Sequence, residues 1–267
     1  MSLRINTNIE AFNAHRMLVK TSDQLSKSIE RLSSGLRINS AADDAAGMAI
    51  SEKLKAQIGG LDQAQRNASD AISMTQTAEG SLNEVHAMLQ RVRELAVEYA
   101  NGTLSTSDKA AIQSEVNQLA SEVERIGQAA DFNGIKLLSS VQTITFQVGA
   151  NDGQVITVDT ISLGQKVGAA VFSLGASTDL AEIDSAIDAV SAQRATLGAV
   201  QNRMEYTLDN LATYEENLTA SKSRITDVDM AAEMVNFTKT QILQSAGTSM
   251  LAQANQIPQS VLTLLRG

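Results

Sequence analysis

The chain contains no cysteine, no tryptophan, a single proline and only 3% aromatic residues among its 267 positions. Without cysteine there is no disulfide, no thiolate nucleophile and no Cys-ligated zinc, although the redox compartment stays open. Aromatic side chains carry large buried area per residue, so a chain this poor in them must bury Ala, Leu, Ile and Val across thin, repetitive interfaces. With 43% hydrophobic residues and one proline, that means long, closely packed helices rather than a thick rounded core. No run reaches 18 apolar residues, which excludes a transmembrane helix. A net charge of −9 leaves no basic stripe for phosphates, so nucleic acid is not an expected partner. The opening Met1-Ser2-Leu3-Arg4-Ile5-Asn6-Thr7-Asn8 lacks the apolar core of a cleavable secretory signal. The expectation is a cytoplasmic protein, or one that leaves the cell without a cleaved signal.

What the chain does have is periodicity. Leu54, Leu61, Ala64, Ala68, Ala71, Ala78, Leu82, Val85, Leu89, Val92, Ala96 and Tyr99 follow one alternating three-and-four register, interrupted only by Gln57 and Thr75. Such a 3.5-residue repeat keeps one seam facing a partner helix along its length, and its ~46 residues would span roughly 70 Å. Asn101-Gly102 supplies a stop. A second helix is expected from about Ser107, carrying Ile112, Val116, Leu119, Val123 and Ile126, before a turn at Asp131-Phe132-Asn133-Gly134. Over 141–161 the period drops to two: Ile144, Phe146 and Val148 alternate with Thr143, Thr145 and Gln147, and Val155 to Val158 returns after a glycine-bounded turn. This predicts a β-hairpin, and the Gly- and Ser-containing 162–178 reads as a loop. From Ile183 every seventh residue is apolar through Val190, Leu197, Met204, Leu211, Leu218 and Ile225. The interleaved positions are mixed, giving one hydrophobic ridge and a wetter flank, and the 54–99 helix is the obvious partner.

The two ends form a third zone. Ile5, Ile9 and Phe12, then Leu25, Ile29, Leu32 and Leu36, recur at helical spacing; so do Leu243, Ala246, Met250, Ala254, Ile257, Val261 and Leu264. Stripes with so little nearby to cover them must pair with each other, bind other copies, or stay disordered until they do.

Long motifs at both ends resemble the bacterial flagellins. They include Ile5 to Asn8, Leu32 to Ser40, Ala41 to Ile50, Gln90 to Ala96, Phe132-Asn133-Gly134, Val148 to Asn151, Ser223 to Asp229, Ser249 to Gln256 and Leu264-Leu265. Ala42 and Met48 depart from the family's more usual polar residues, and the variable outer domains are missing from the middle, so the likeness is to a minimal flagellin. The resemblance implies a mainly α fold of long antiparallel helices and coiled coil with a small β-hairpin region. It implies an inner, channel-lining domain from 1–44 and 225–267 around a rod domain, 45–224. It further implies an extracellular flagellar filament subunit that self-polymerises for motility, exported without a cleaved signal peptide, whose terminal helices order on assembly. Ile5, Ile9, Phe12, Leu25, Ile29, Leu32, Leu36, Leu243, Met250, Ile257, Val261 and Leu264 are the expected polymerisation interface. Implied partners are other copies, hook–filament junction and cap proteins, and the export apparatus with a flagellin chaperone. A host toll-like receptor is a further one, through Arg91, Leu95 and Glu115.

Chemistry finds little purchase. Asp43-Asp44 could suggest paired acid–base carboxylates, but adjacent side chains diverge on a helix and acidic residues suit a helix N-terminus. His15 and His86 have no His-Glu-x-x-His context, and no nucleotide-binding or nucleophile-elbow motif occurs. No enzyme activity, cofactor or metal is expected. The alternatives are a hook–filament junction protein with similar termini, and a soluble coiled-coil adaptor.

Overall fold

A computed structural model describes residues 8–167, 169–175 and 179–266, with the side chains at 165–166, 169–170 and 257–266 outside that description. The chain divides into two compact units, Met1–Ala56 with Leu218–Gly267, and Gln57–Asn217. The sequence-stretch ends 1–44 and 225–267 fall inside the first.

The second unit is built on helix α2, Ala45–Tyr99, which starts nine residues before Leu54. From Leu61 to Ala96 every expected register position is buried, with Met74 and Leu95 buried beside it; Thr75, in register, donates its hydroxyl to the Ala71 carbonyl at 2.8 Å and so needs no outside partner. Helix α3, Thr106–Ala129, begins at a capping box between Ser105 and Asp108 and buries Ile112, Val116 and Val123. The turn after it is a tight hairpin, β1 Asp131–Phe132 with β2 Ile135–Lys136. Asn133 and Gly134 take φ of 50° and 79° there, the left-handed pair that a two-residue hairpin turn requires. The larger hairpin pairs β3, Thr143–Gln147, with β4, Val155–Asp159, in the register Thr143 to Asp159 and Gln147 to Val155. It buries Ile156 and Val158. Its loop lies on α2: Asn67 Nδ2 donates to the Gln147 carbonyl at 3.0 Å, and a Cβ on Gly60 would stand 2.8 Å from that of Ala150.

The expected loop at 162–178 is corrected. It contains the short helix α4, Leu163–Lys166, and a 3-10 turn, Ala169–Phe172. Leu163, Val167, Val171 and Leu174 are buried, four apolar residues at helical spacing that the surrounding glycines and serines had masked. Helix α5, Asp179–Thr226, buries Ile183, Val190, Leu197, Met204 and Leu211 of its ridge. Its wetter flank is tied to α2 by Arg93–Asp184 at 2.6 Å, Glu79–Arg194 at 3.7 Å and Gln65–Glu215 at 2.5 Å.

The first unit holds α1, Ile9–Ser34, packed on α6, Met230–Arg266, with residues 45–56 of α2 and 218–226 of α5. None of the described helices is long and apolar enough to cross a membrane.

Candidate functional site

Along α1, Ala11, Ala14, Leu18, Thr21, Leu25, Ser28 and Leu32 are covered, stepping alternately by three and four, with Ser22 and Arg31 covered beside them. Those of α6 step the same way through Glu233, Phe237, Thr240, Gln244, Gly247, Leu251 and Ala254, and every other position between 230 and 256 is exposed. This is a heptad seam, but an unusual one: small and polar side chains fill much of it. Gly247 leaves room for close approach: a Cβ there would stand 3.3 Å from Leu18 Cδ1 and press it by a few tenths of an ångström.

Two polar ties close the pair, one toward each end. The Asn8 side chain accepts from Ala11 N at 3.0 Å, capping α1, and donates from Nδ2 to the Ala254 carbonyl at 2.8 Å. Arg31 stands 3.9 Å from Glu233, which is only 7% exposed. Beyond α1, the connecting segment pairs with the segment leading to α6. Arg37 N donates to Thr226 O at 2.6 Å and Val228 N to Gly35 O at 3.0 Å, bridging Leu36 with Asp227, and the Arg37 guanidinium also donates to Ile225 O. Gly35 turns the chain out of α1 at φ 71°. Asp229 Oδ1 accepts from Ala231 N and Ala232 N at the start of α6. The motif residues at 32–40 and 223–229 thus have a local physical task.

Leu18, Leu25, Leu32, Phe237 and Leu251 are half-covered in the seam, but most large apolar side chains of this helix pair lie outside it. Ile9, Phe12, Met17, Val19 and Ile29 on α1, and Met230, Met234, Val235, Ile242, Leu243 and Met250 on α6, are all exposed; Phe12 reaches 71% and Met250 66%. Of the polymerisation residues expected from the sequence, Leu25, Leu32 and Leu36 are half-covered, whereas Ile9, Phe12, Ile29, Leu243 and Met250 face outward. Ile5 lies outside the described residues, as do the side chains of Ile257, Val261 and Leu264. The helix pair therefore joins largely through residues the apolar stripes did not select. Periodicity ranks Leu and Met above Ser, Thr and Gly, while close approach of two helices favours the smaller set. Asn8 went unread too, although Asn directly before the first periodic residue is a helix-start signal.

The other candidates are spoken for. Asp43 Oδ2 accepts from Ser40 N, Ser40 Oγ and Asn39 N; the Ser40 contacts hold its carboxyl below the usual range. Asp44 Oδ1 caps α2 through Ala46 N and Gly47 N. Both carboxylates serve the backbone. His86 Nε2 lies 3.0 Å from Gln90 Nε2, and its buried Nδ1 has no partner. No three acidic or histidine side chains among the described residues come together to hold a metal.

Arg91 binds Glu94 and Glu115, each at 3.0 Å, and all three are exposed. The pair of carboxylates, Glu94 first, holds the guanidinium protonated above its ordinary value. Leu95 is different: it is 2% exposed, inside the core between α2 and its neighbours, so in this fold it supports the charged surface without being part of it.

Residues 5–143 match the family profile of the bacterial flagellin N-terminal helical region, and residues 180–265 that of the C-terminal helical region. A flagellin of Halalkalibacterium halodurans is 52% identical over 98% of this chain and 99% of its own length. A flagellin of Bacillus subtilis is 45% identical over 99% and 100%. The flagellar filament 33 kDa core protein of Treponema phagedenis is 46% identical over 98% and 99%. In structure the chain is similar to the crystal structure of Bacillus cereus flagellin, with a TM-score of 0.50 and 29% identity over 55% of this chain and 88% of that one.

Proposed function

The chain belongs to the bacterial flagellin family, structural subunits of the flagellar filament, and from that premise we propose that the outward face of its α1–α6 pair is where copies join. The observation that carries this is the inversion within the pair: large apolar side chains such as Phe12 and Met250 stand in solvent while Ser28, Thr240 and Glu233 are buried. Exposed apolar area of this kind marks an interaction surface. Its burial against further copies would stabilise the assembly by roughly 25 cal/mol per Å², less the entropy of ordering. A head-to-tail contact that does not close on itself propagates as a filament, so no chemistry is required. In this reading 1–44 and 225–267 form the inner, channel-lining domain and 45–224 the rod. The subunit is exported without a cleaved signal, and it meets hook–filament junction and cap proteins at the filament's ends and a chaperone before export.

A second reading concerns the exposed Arg91–Glu115 pair. Its position on α2 and α3, outside the α1–α6 surface, supports recognition by a host toll-like receptor, with Leu95 acting from beneath.

The test is seeded polymerisation. Purified chain is mixed with short filament fragments in precipitating salt and imaged by negative-stain electron microscopy. Long filaments are expected; persistent monomer would favour a junction protein, and a discrete small oligomer a coiled-coil adaptor.

A further inference from the structure

Helix α6 runs unbroken from Met230 to Arg266 and has the chain's single proline, Pro258, in its interior. Proline has no backbone N–H, so the carbonyl four residues earlier loses its helical donor. That carbonyl belongs to Ala254, a residue 7% exposed on the seam, and it is the one that Asn8 Nδ2 reaches at 2.8 Å. The same side chain caps α1 through its oxygen.

We propose that Asn8 is an interlock: its carboxamide replaces the hydrogen bond that Pro258 removes from α6 while capping α1, and thereby sets the register in which the terminal helices pair. A buried carbonyl without a donor is costly, so the pair is favoured only where Asn8 and Ala254 meet. The seam needs such a device. Between Leu18, Leu25, Leu32, Phe237 and Leu251, the small and polar seam residues Ala11, Ala14, Thr21, Ser28, Thr240, Gln244 and Gly247 discriminate weakly between neighbouring registers, and single polar contacts are an established way to choose among them. An interior proline, ordinarily a defect in a helix, here creates the acceptor that makes the choice. The interlock stands on unit-internal geometry; its effect on filaments rests on the polymerisation reading above.

Asn8→Ser separates the two tasks, because serine is an equally good helix cap but is too short to reach Ala254. The full-length chain is compared as wild type, N8S, P258A and the double variant. The readouts are the critical concentration for seeded polymerisation, and hydrogen–deuterium exchange of peptides covering 9–20 and 245–256. N8S is expected to raise the critical concentration roughly five- to ten-fold, the effect of one lost buried hydrogen bond, and to speed exchange in both peptides. In the P258A background residue 258 regains its N–H and serves Ala254, so the N8S effect is expected to shrink below about two-fold. Equal N8S effects in both backgrounds would overturn the interlock, as would complete exchange of both peptides in the wild type. If the wild type does not polymerise but the exchange coupling remains, the filament reading falls and the interlock stands.

Discussion

Phe12 offers the sharpest test of the assembly surface. It is 71% exposed on α1, outside the seam, so its ring contributes little to the fold of the isolated chain. A phenylalanine side chain brings about 200 Å², of which roughly 140 Å² is open here. Alanine retains about a third of that, so Phe12→Ala removes on the order of 95 Å² from any interface that covers the position. At about 25 cal/mol per Å² the loss is about 2.4 kcal/mol per subunit, which is roughly a fifty-fold rise in critical concentration.

Sedimentation of seeded reactions over a range of subunit concentrations measures that rise, and circular dichroism of the monomer checks the fold. The expected result is a large shift in critical concentration with an unchanged melting curve. Lys27→Ala, at an exposed polar position of the same helix, is the control, with less than about a two-fold effect. Filaments forming at the wild-type concentration would refute the reasoning, because Phe12 would then remain in solvent after assembly. A melting temperature lowered by several degrees would refute it differently, by showing that the ring already serves the monomer.

Three further outcomes are expected. Gly47→Ala would place a Cβ 2.5 Å from Asp44 Oδ2 and 2.7 Å from Ile38 Cδ1, disturbing the α2 cap and costing about 1–3 kcal/mol, measurable by denaturant unfolding of the full chain. Acid should destabilise the protein, because hydrogen bonds from Ser40, Ser105 and Arg93 hold the carboxyls of Asp43, Asp108 and Asp184 below their ordinary 3.8. Their contribution is complete above 3.8 and is lost as pH falls through the lowered folded values. Melting temperature should therefore be level near neutrality and decline below about pH 4, less steeply in Asp184→Asn; a decline starting near pH 6 would point to other groups. Hydrogen peroxide should oxidise the exposed Met17, Met230, Met234 and Met250 to sulfoxides, adding polar oxygen to the proposed interface. Oxidised monomer is expected to polymerise poorly and filaments to be protected, as read by peptide mass spectrometry; equal oxidation of both forms would place these side chains outside the interface.

The parts of this fold legible in the sequence are those where a large apolar side chain meets a fixed period. Leu82, Val85, Leu89 and Val92 announce the α2 seam, Ile183 to Leu211 the α5 ridge, and Ile144 and Phe146 against Ile156 and Val158 the hairpin. Legibility fails where packing selects by size or by hydrogen bonding. Leu163, Val167, Val171 and Leu174 are buried within a segment whose glycines and serines suggest a loop. Along α6 the seam falls at Gln244, Gly247 and Leu251, beside the stripe at Leu243, Ala246 and Met250. The stripe was nonetheless informative, since several of its members are the exposed apolar residues. Leu95 shows the converse, a residue brought in by family likeness whose burial no motif conveys.

These differences follow from what each unit must do. Residues 57–217 bury most of their large side chains within one chain, so that unit's core is covered without other copies. The α1–α6 pair fully buries Ser28, Glu233, Thr240 and Ala254, covers Leu18, Leu25, Leu32, Phe237 and Leu251 only in part, and keeps Phe12, Ile29, Leu243 and Met250 outside. If other copies cover that outward face, as proposed, they would add apolar burial the pair lacks, and its order would be coupled to subunit concentration by mass action. The Arg31–Glu233 pair at 3.9 Å and the Asn8–Ala254 contact do not compensate for the missing apolar area, since polar contacts contribute modestly net of solvation. In the proposed interlock they supply selectivity: a helix pair held in one register but weak alone would join a growing end in one arrangement, with no strong seam of its own to drive aggregation.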